Sequence, residues 1–111
     1  MKLQNLKFDE NGLIPAVIQD SDSLQVLMVG WMNETSIRMT LEQKRVVFWS
    51  RSRTEIWLKG ATRGNFLNLV NILVDCDRDT LLIQVHPEGP TCHTGNSTCF
   101  YRNYLFEGDI S

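Results

Sequence analysis

Short apolar runs separated by turn-forming residues dominate this chain, and their lengths decide which elements they favour. Asn11 and Gly12 lead into residues 13–20, and a longer β-favouring run follows at 24–32 around Val26, Leu27, Met28 and Val29. The simplest arrangement of the two is an antiparallel pair. Asn33 then offers an N-cap oxygen, Glu34 places a carboxylate in the first turn against the helix dipole, and Ile37, Thr40 and Leu41 recur at helical spacing. These features predict one helix over 34–44. Beyond it, residues 45–52, 55–59, 66–74 and 80–85 are rich in β-branched, aromatic and aliphatic side chains, which suit a pleated, half-buried surface. From Gly89 onward Gly, Pro, Thr, Ser, Asn and Cys prevail, poor material for a regular element but good material for a metal-binding loop. A short strand is expected at 101–106. The whole pattern predicts a β-dominated α+β fold with one main helix.

Composition adds boundaries to this picture. With 111 residues, 42% of them apolar and 22% charged, the chain reads as a single domain, 1–111, around one core, without repeats or linkers. A domain this small leaves much of its apolar surface near water, so a bound metal or a partner subunit helps close its energy balance, and a homodimer is expected. A net charge of −2 argues against a general nucleic-acid binder, which needs a basic surface to displace counterions. Any anion site must be local. The opening MKLQNLKFDE lacks the apolar run of a secretory signal, and no later window approaches a membrane span, so a cytoplasmic protein with no membrane partner is expected. In a reducing compartment the odd set Cys76, Cys92 and Cys99 reads as thiols or metal ligands.

Two clusters carry metal chemistry. In DCDRD, Asp75, Asp77 and Asp79 alternate, with Arg78 to offset charge. If the chain were extended, the outer two would lie roughly 13 Å apart, so a shared cation demands a bend. Oxygen ligands of this kind suit Mg²⁺, and the same residues also suit an ordinary hairpin turn between apolar strands. Cys76, Cys92 and Cys99 offer three soft ligands for Zn²⁺. Three protein ligands are common in catalytic zinc sites, which leave a fourth position to water, whereas structural sites usually take four. Isolated cysteines without a CxxC pair also serve as small buried hydrophobes. His93 follows Cys92 and is suited by its ordinary pKa to shuttle protons, while nothing adjacent marks His86 as part of a polar site.

A third feature is WSRSR, in which Trp49, Arg51 and Arg53 are expected on one strand face, with Lys59 and Arg63 following shortly. Arginine forks match phosphate oxygens and a tryptophan face stacks on a base, so the segment suits a nucleotide; a solvated strand edge beside a core tryptophan is the other reading. Trp31 and Trp57 are read as packing residues.

Taken in order, GWMNETSI, FWSRSRTEIWLKG, DCDRDTLLIQV and GPTCHTGNSTCF closely resemble the characteristic blocks of the phosphoribosyl-AMP cyclohydrolase family, across almost the whole chain. The resemblance implies that Cys76, Cys92 and Cys99 bind zinc, that Asp75, Asp77 and Asp79 bind magnesium, and that the enzyme is an intertwined homodimer whose zinc site is shared between subunits. It further implies a histidine-biosynthetic hydrolase that opens the purine ring of 1-(5-phosphoribosyl)-AMP at the C6–N1 bond. His93 is then the candidate proton carrier, and Trp49, Arg51, Arg53 and Lys59 the substrate-binding residues. Ala61 and Arg63 stand where that family commonly has an acidic residue and a serine, Thr91 where alanine is common and Arg78 where a small residue is frequent. Some relatives continue into a pyrophosphohydrolase domain, for which this chain is expected to be too short. Two other readings differ in class. A non-catalytic zinc-stabilised nucleotide-binding module would close its metal shell with a fourth ligand such as His93, and a magnesium-dependent phosphohydrolase would release phosphate where ring opening releases none.

Overall fold

The computed structural model describes residues 3–105. In chain order it contains β1 (Ile14–Asp20), β2 (Val26–Met32), α1 (Glu34–Gln43), β3 (Val47–Ser50), β4 (Glu55–Leu58), β5 (Leu67–Val74) and β6 (Leu81–Pro87), preceded by a 3-10 turn at Leu3–Asn5. This is the expected α+β fold, mostly strand with one helix. β1 pairs antiparallel with β2, as the sequence predicts, with Ile14 opposite Met32 and Val17 opposite Val29. β6 lies parallel to β1 and antiparallel to β5, which gives a four-stranded sheet in the order β2-β1-β6-β5; β3 and β4 form a separate hairpin.

Alternation explains which sheet face is covered. Ile14, Ala16 and Ile18 of β1 and Leu81, Ile83 and Val85 of β6 are buried, and the residues between them point the other way. Ile37 of α1 and Phe48 of β3 join this core, so the helix and the hairpin together cover one face of the sheet. The closest approach is at Gly30 of β2. A Cβ there would lie 2.5 Å from the Phe48 ring, so the ring rests on bare strand backbone. On its other side Phe48 meets Trp57 of β4, with ring centroids 5.4 Å apart.

The helix begins and ends where local chemistry dictates. Asn33 Oδ1 accepts from the Ser36 N–H at 2.8 Å while Ser36 Oγ accepts from the Asn33 N–H at 2.9 Å, a reciprocal cap. Lys44 closes the other end in the left-handed region, at φ 60°, with its N–H on the Thr40 carbonyl. Buried Thr40 then ties helix to hairpin, its Oγ1 donating to the Ser36 carbonyl and accepting from the Val47 N–H.

Three expectations are corrected. The strand expected at 45–52 is confined to β3, because the backbone at 44–46 bonds to the start of β5 instead, through Val46 N–H to Leu67 O and Leu69 N–H to Lys44 O. The strand expected at 80–85 continues to Pro87. The strand expected at 101–106 does not form over 101–105, and Phe106 lies outside the described residues. A physical reason is at hand: the free edge of β2 is already engaged by residues 98 and 99, with the Cys99 N–H on the Leu27 carbonyl at 2.7 Å and Thr98 Oγ1 on the Val26 carbonyl at 2.7 Å. Among the described residues no helix is long and apolar enough to cross a membrane.

Gly30→Ala is expected to destabilise the fold by about 1–3 kcal/mol, the usual cost of overpacking a filled core. A lower urea midpoint at unchanged slope checks this; an unchanged midpoint would mean that the Phe48 ring yields freely.

Candidate active site

The β5–β6 connection supplies the bend that three alternating carboxylates need in order to converge. Asp75 Oδ1 accepts from the N–H groups of Asp79 and Thr80 at 3.0 and 3.3 Å, and the Arg78 N–H returns to the Asp75 carbonyl at 3.0 Å. Arg78 takes the left-handed conformation, φ 62°, that this curl requires. The result gathers ligand oxygens of Asp75, Asp77 and Asp79 within 4.8 Å of one another, all three residues exposed. Desolvation pushes the Asp75 carboxyl up, but the hydrogen bonds from Asp79 and Thr80 outweigh it and hold the group below its ordinary value. Three ionised carboxylates this close repel, and hard oxygen donors in such a cluster fit a small divalent cation.

Residues 90–99 form a second structured loop. The Cys92 N–H donates to the Asn96 carbonyl and the Gly95 N–H to the Cys92 carbonyl, with Gly95 at φ 94°. This fold-back brings Cys92 and Cys99 to one depression. Thr94 Oγ1 donates to Cys92 Sγ at 3.1 Å and itself accepts from Asn96 Nδ2 at 2.9 Å. The Thr94 hydroxyl accordingly draws the Cys92 thiol below its ordinary pKa, whereas burial, and then the neighbouring Cys92, push Cys99 up. The two sulfurs thus differ in acidity, Cys92 being the more acidic. Cys76 is exposed on the aspartate turn and does not join them within the chain: among the described residues, the one group of three metal-capable side chains gathered this closely is the aspartate trio.

Between these two poles lie the aromatic and cationic residues, arranged differently from the expectation. Trp49, Arg51 and Arg53 do not share a strand face, because β3 ends at Ser50 and residues 51–54 turn, with Thr54 at φ 50°. Arg51 instead lies 4.5 Å above the Trp31 ring. Trp31, Trp49, Arg51 and Trp57 line a cleft of about 510 Å³. Trp57 packs on Phe48 as expected and, 39% exposed, also borders this cleft with Trp31. Arg53 faces a separate cavity of about 320 Å³ together with Lys59, Arg63, Thr91, Cys92 and His93. There Lys59 Nζ donates to the Thr91 carbonyl at 2.7 Å and an Arg63 guanidinium N–H donates to the His93 carbonyl at 3.3 Å.

Shared walls join these depressions into one series. Trp57 borders both the aromatic cleft and the cationic cavity, and Cys92 and His93 border both the cationic cavity and a depression containing Cys99. At the other end Trp31 borders both the aromatic cleft and a depression containing Asp79. His86 stands outside the series, its Nδ1 near Ser21 Oγ and Asp22 Oδ2 in an exposed cluster that the sequence reading did not anticipate. That reading also passed over Thr94, whose signal is a hydroxyl two residues from Cys92 just before a turn glycine.

Residues 28–101 match the family described as phosphoribosyl-AMP cyclohydrolase. The chain belongs to that family. The matched span takes in all three tryptophans of the cleft, the aspartate turn and the cysteine loop. The phosphoribosyl-AMP cyclohydrolase of Chlorobium chlorochromatii (strain CaD3) is 51% identical over 108 residues, which is 97% of this chain and 79% of that protein. That of Chlorobaculum tepidum is 52% identical over 100 residues, 90% of this chain and 73% of its own length. The histidine biosynthesis bifunctional protein HisIE of Caldanaerobacter subterraneus subsp. tengcongensis is 55% identical over 102 residues, covering 92% of this chain and 50% of that longer protein. In this phosphoribosyl-AMP cyclohydrolase family member, each block singled out from the sequence carries one wall of the series of depressions.

Thr94→Val removes the donor on the Cys92 sulfur, so the Cys92 ionisation should move to higher pH. The thiolate absorbance titrated in metal-free protein reads this directly, and an unmoved midpoint would show that Thr94 does not set it.

Proposed function

We propose that this chain hydrolytically opens the purine ring of 1-(5-phosphoribosyl)-AMP at the C6–N1 bond, yielding the phosphoribosyl-formimino-aminoimidazole carboxamide ribotide of histidine biosynthesis, in the cytoplasm. Family membership supports the activity. The observation that carries the local assignment is that the Cys92–Cys99 pair opens onto the same series of depressions as the tryptophans and Lys59.

Donor chemistry favours zinc at the sulfurs and magnesium at the aspartate oxygens. Two sulfurs from one chain are fewer than the three common in catalytic zinc sites, and Cys76 of the partner subunit is the third we assign. A homodimer is supported independently by an apolar row across the uncovered sheet face. Val29, Val17, Leu82 and Leu73 are aligned by strand register, with Val29 and Leu73 47% and 42% exposed. The row ends at Leu73 of β5, just before the aspartate turn that carries Cys76, and such a face suits a second copy better than water.

When bound, zinc supplies an acidified water near neutral pH and magnesium supplies charge against phosphate. The remaining work falls to the side chains. Trp49, with Trp31 and Trp57, takes the faces of the base, while Arg51, Arg53 and Lys59 receive phosphate charge. Water adds at C6 and the C6–N1 bond breaks: the oxygen stays on C6 as the carboxamide oxygen, and one proton each goes to N1 and the exocyclic nitrogen. His93, on the wall between the cationic cavity and the depression over Cys99, is our carrier for that proton movement.

Cys92→Ala should lose both zinc and turnover, whereas Asp77→Asn should retain zinc and lose magnesium-dependent activity. Metal analysis beside a ring-opening assay checks both, and full turnover by zinc-free protein would refute the scheme.

A further inference from the structure

We propose that Arg63, acting with Lys59 and Thr91, forms the receptor for one phosphomonoester of the substrate and sets affinity for it. The inference rests on the ring-opening reading, whose substrate carries a phosphate on each of two riboses, and extends it to a residue outside the WSRSR segment.

Charge is the first support. Arg53, Lys59 and Arg63 line one cavity with no carboxylate among its lining residues. Neither Lys59 nor Arg63 has a carboxylate within ion-pair distance among the described residues, while Arg53 lies 4.0 Å from Glu55. Lys59 and Arg63 spend a hydrogen bond each on backbone carbonyls of Thr91 and His93, which fixes their direction without neutralising them. Most of their N–H groups stay available, and a guanidinium presents its donors in the fork that phosphate oxygens match.

The second support is an unpaired hydroxyl. Thr91 lines the same cavity, is 1% exposed, and its Oγ1 has no hydrogen-bond partner among the described residues. A buried hydroxyl left unpaired is costly, and an acceptor oxygen arriving in the cavity relieves that cost. The walls are preformed as well. A Cβ on Gly60, at φ 94°, would lie 2.5 Å from the Asn65 backbone, and one on Gly89 would collide with the Asn65 side-chain amide. Asn65 is therefore wedged between the segment carrying Lys59 and Arg63 and the segment carrying Thr91, so little ordering remains to be done on binding.

Steady-state kinetics with phosphoribosyl-AMP, together with direct titration of AMP and of ribose 5-phosphate, tests this. Arg63→Gln should raise KM about tenfold or more with kcat nearly unchanged, the expected loss of a hydrogen bond to a charged group made equally in ground and transition states. It should weaken at least one of the two fragments by a similar factor; a fragment that binds as before carries its phosphate elsewhere, which identifies the arm held here. Thr91→Val should weaken the same fragment without lowering the unfolding temperature of the free enzyme. Unchanged KM and unchanged binding of both fragments in Arg63→Gln would overturn the proposal, as would a fall in kcat alone, which would make Arg63 a prop for the cysteine loop. If the unaltered enzyme failed to open the ring, the underlying reading would fall, and the fragment titrations would still decide the role of Arg63.

Discussion

The contact between the Phe48 ring and the bare backbone at Gly30 governs how the two parts of this fold meet. It docks the β3–β4 hairpin on the sheet at a distance that a side chain at position 30 would forbid. Trp49, Arg51, Trp57 and Lys59 all follow from that docking, since each sits in the hairpin or within a residue of its strands. Trp31 stands next to Gly30 on the sheet side. The aromatic cleft is thus the seam between the two parts, and its width is a packing consequence before it is a binding feature.

Electrostatically the molecule is divided. Its small net charge hides an acidic turn at one end of the site and a cationic cavity towards the other, with tryptophan faces between them. A substrate that is anionic at both ends and aromatic in the middle suits this only if one anionic end meets a cation held by the carboxylates. On the proposed reading the aspartates and the arginines would solve the same problem by different means, one through a borrowed metal and the other through covalently attached charge.

Most elements were legible in the sequence because local signals agreed with tertiary need. Asn33, Glu34 and the spacing of Ile37, Thr40 and Leu41 mark the helix to within a residue, and the Asn11–Gly12 turn marks the start of β1. Legibility fails where a long-range partner decides. Residues 45 and 46 are β-favouring in composition, yet the hydrogen bonds of 44–46 go to β5, and residues 101–105 lack a ladder because residues 98 and 99 already engage the β2 edge. The convergence of Asp75, Asp77 and Asp79 was readable only as a condition, that a bend be present. Trp57 packs on Phe48 as expected, but that Trp31 and Trp57 also border the cleft was not legible, because residue type gives apolar area but not which face of a strand will stay open. The alternation in WSRSR misled for a related reason: period-two reasoning holds only while the strand lasts, and β3 stops at Ser50.

The hook of residues 98 and 99 onto β2 has a further consequence. β2 is the outer strand of its sheet, and an outer strand with bare carbonyls is a template on which foreign chains can stack. By occupying Val26 and Leu27, the loop that carries Cys99 also covers this edge, so the placement of the Cys99 sulfur and the shielding of the sheet depend on one short segment.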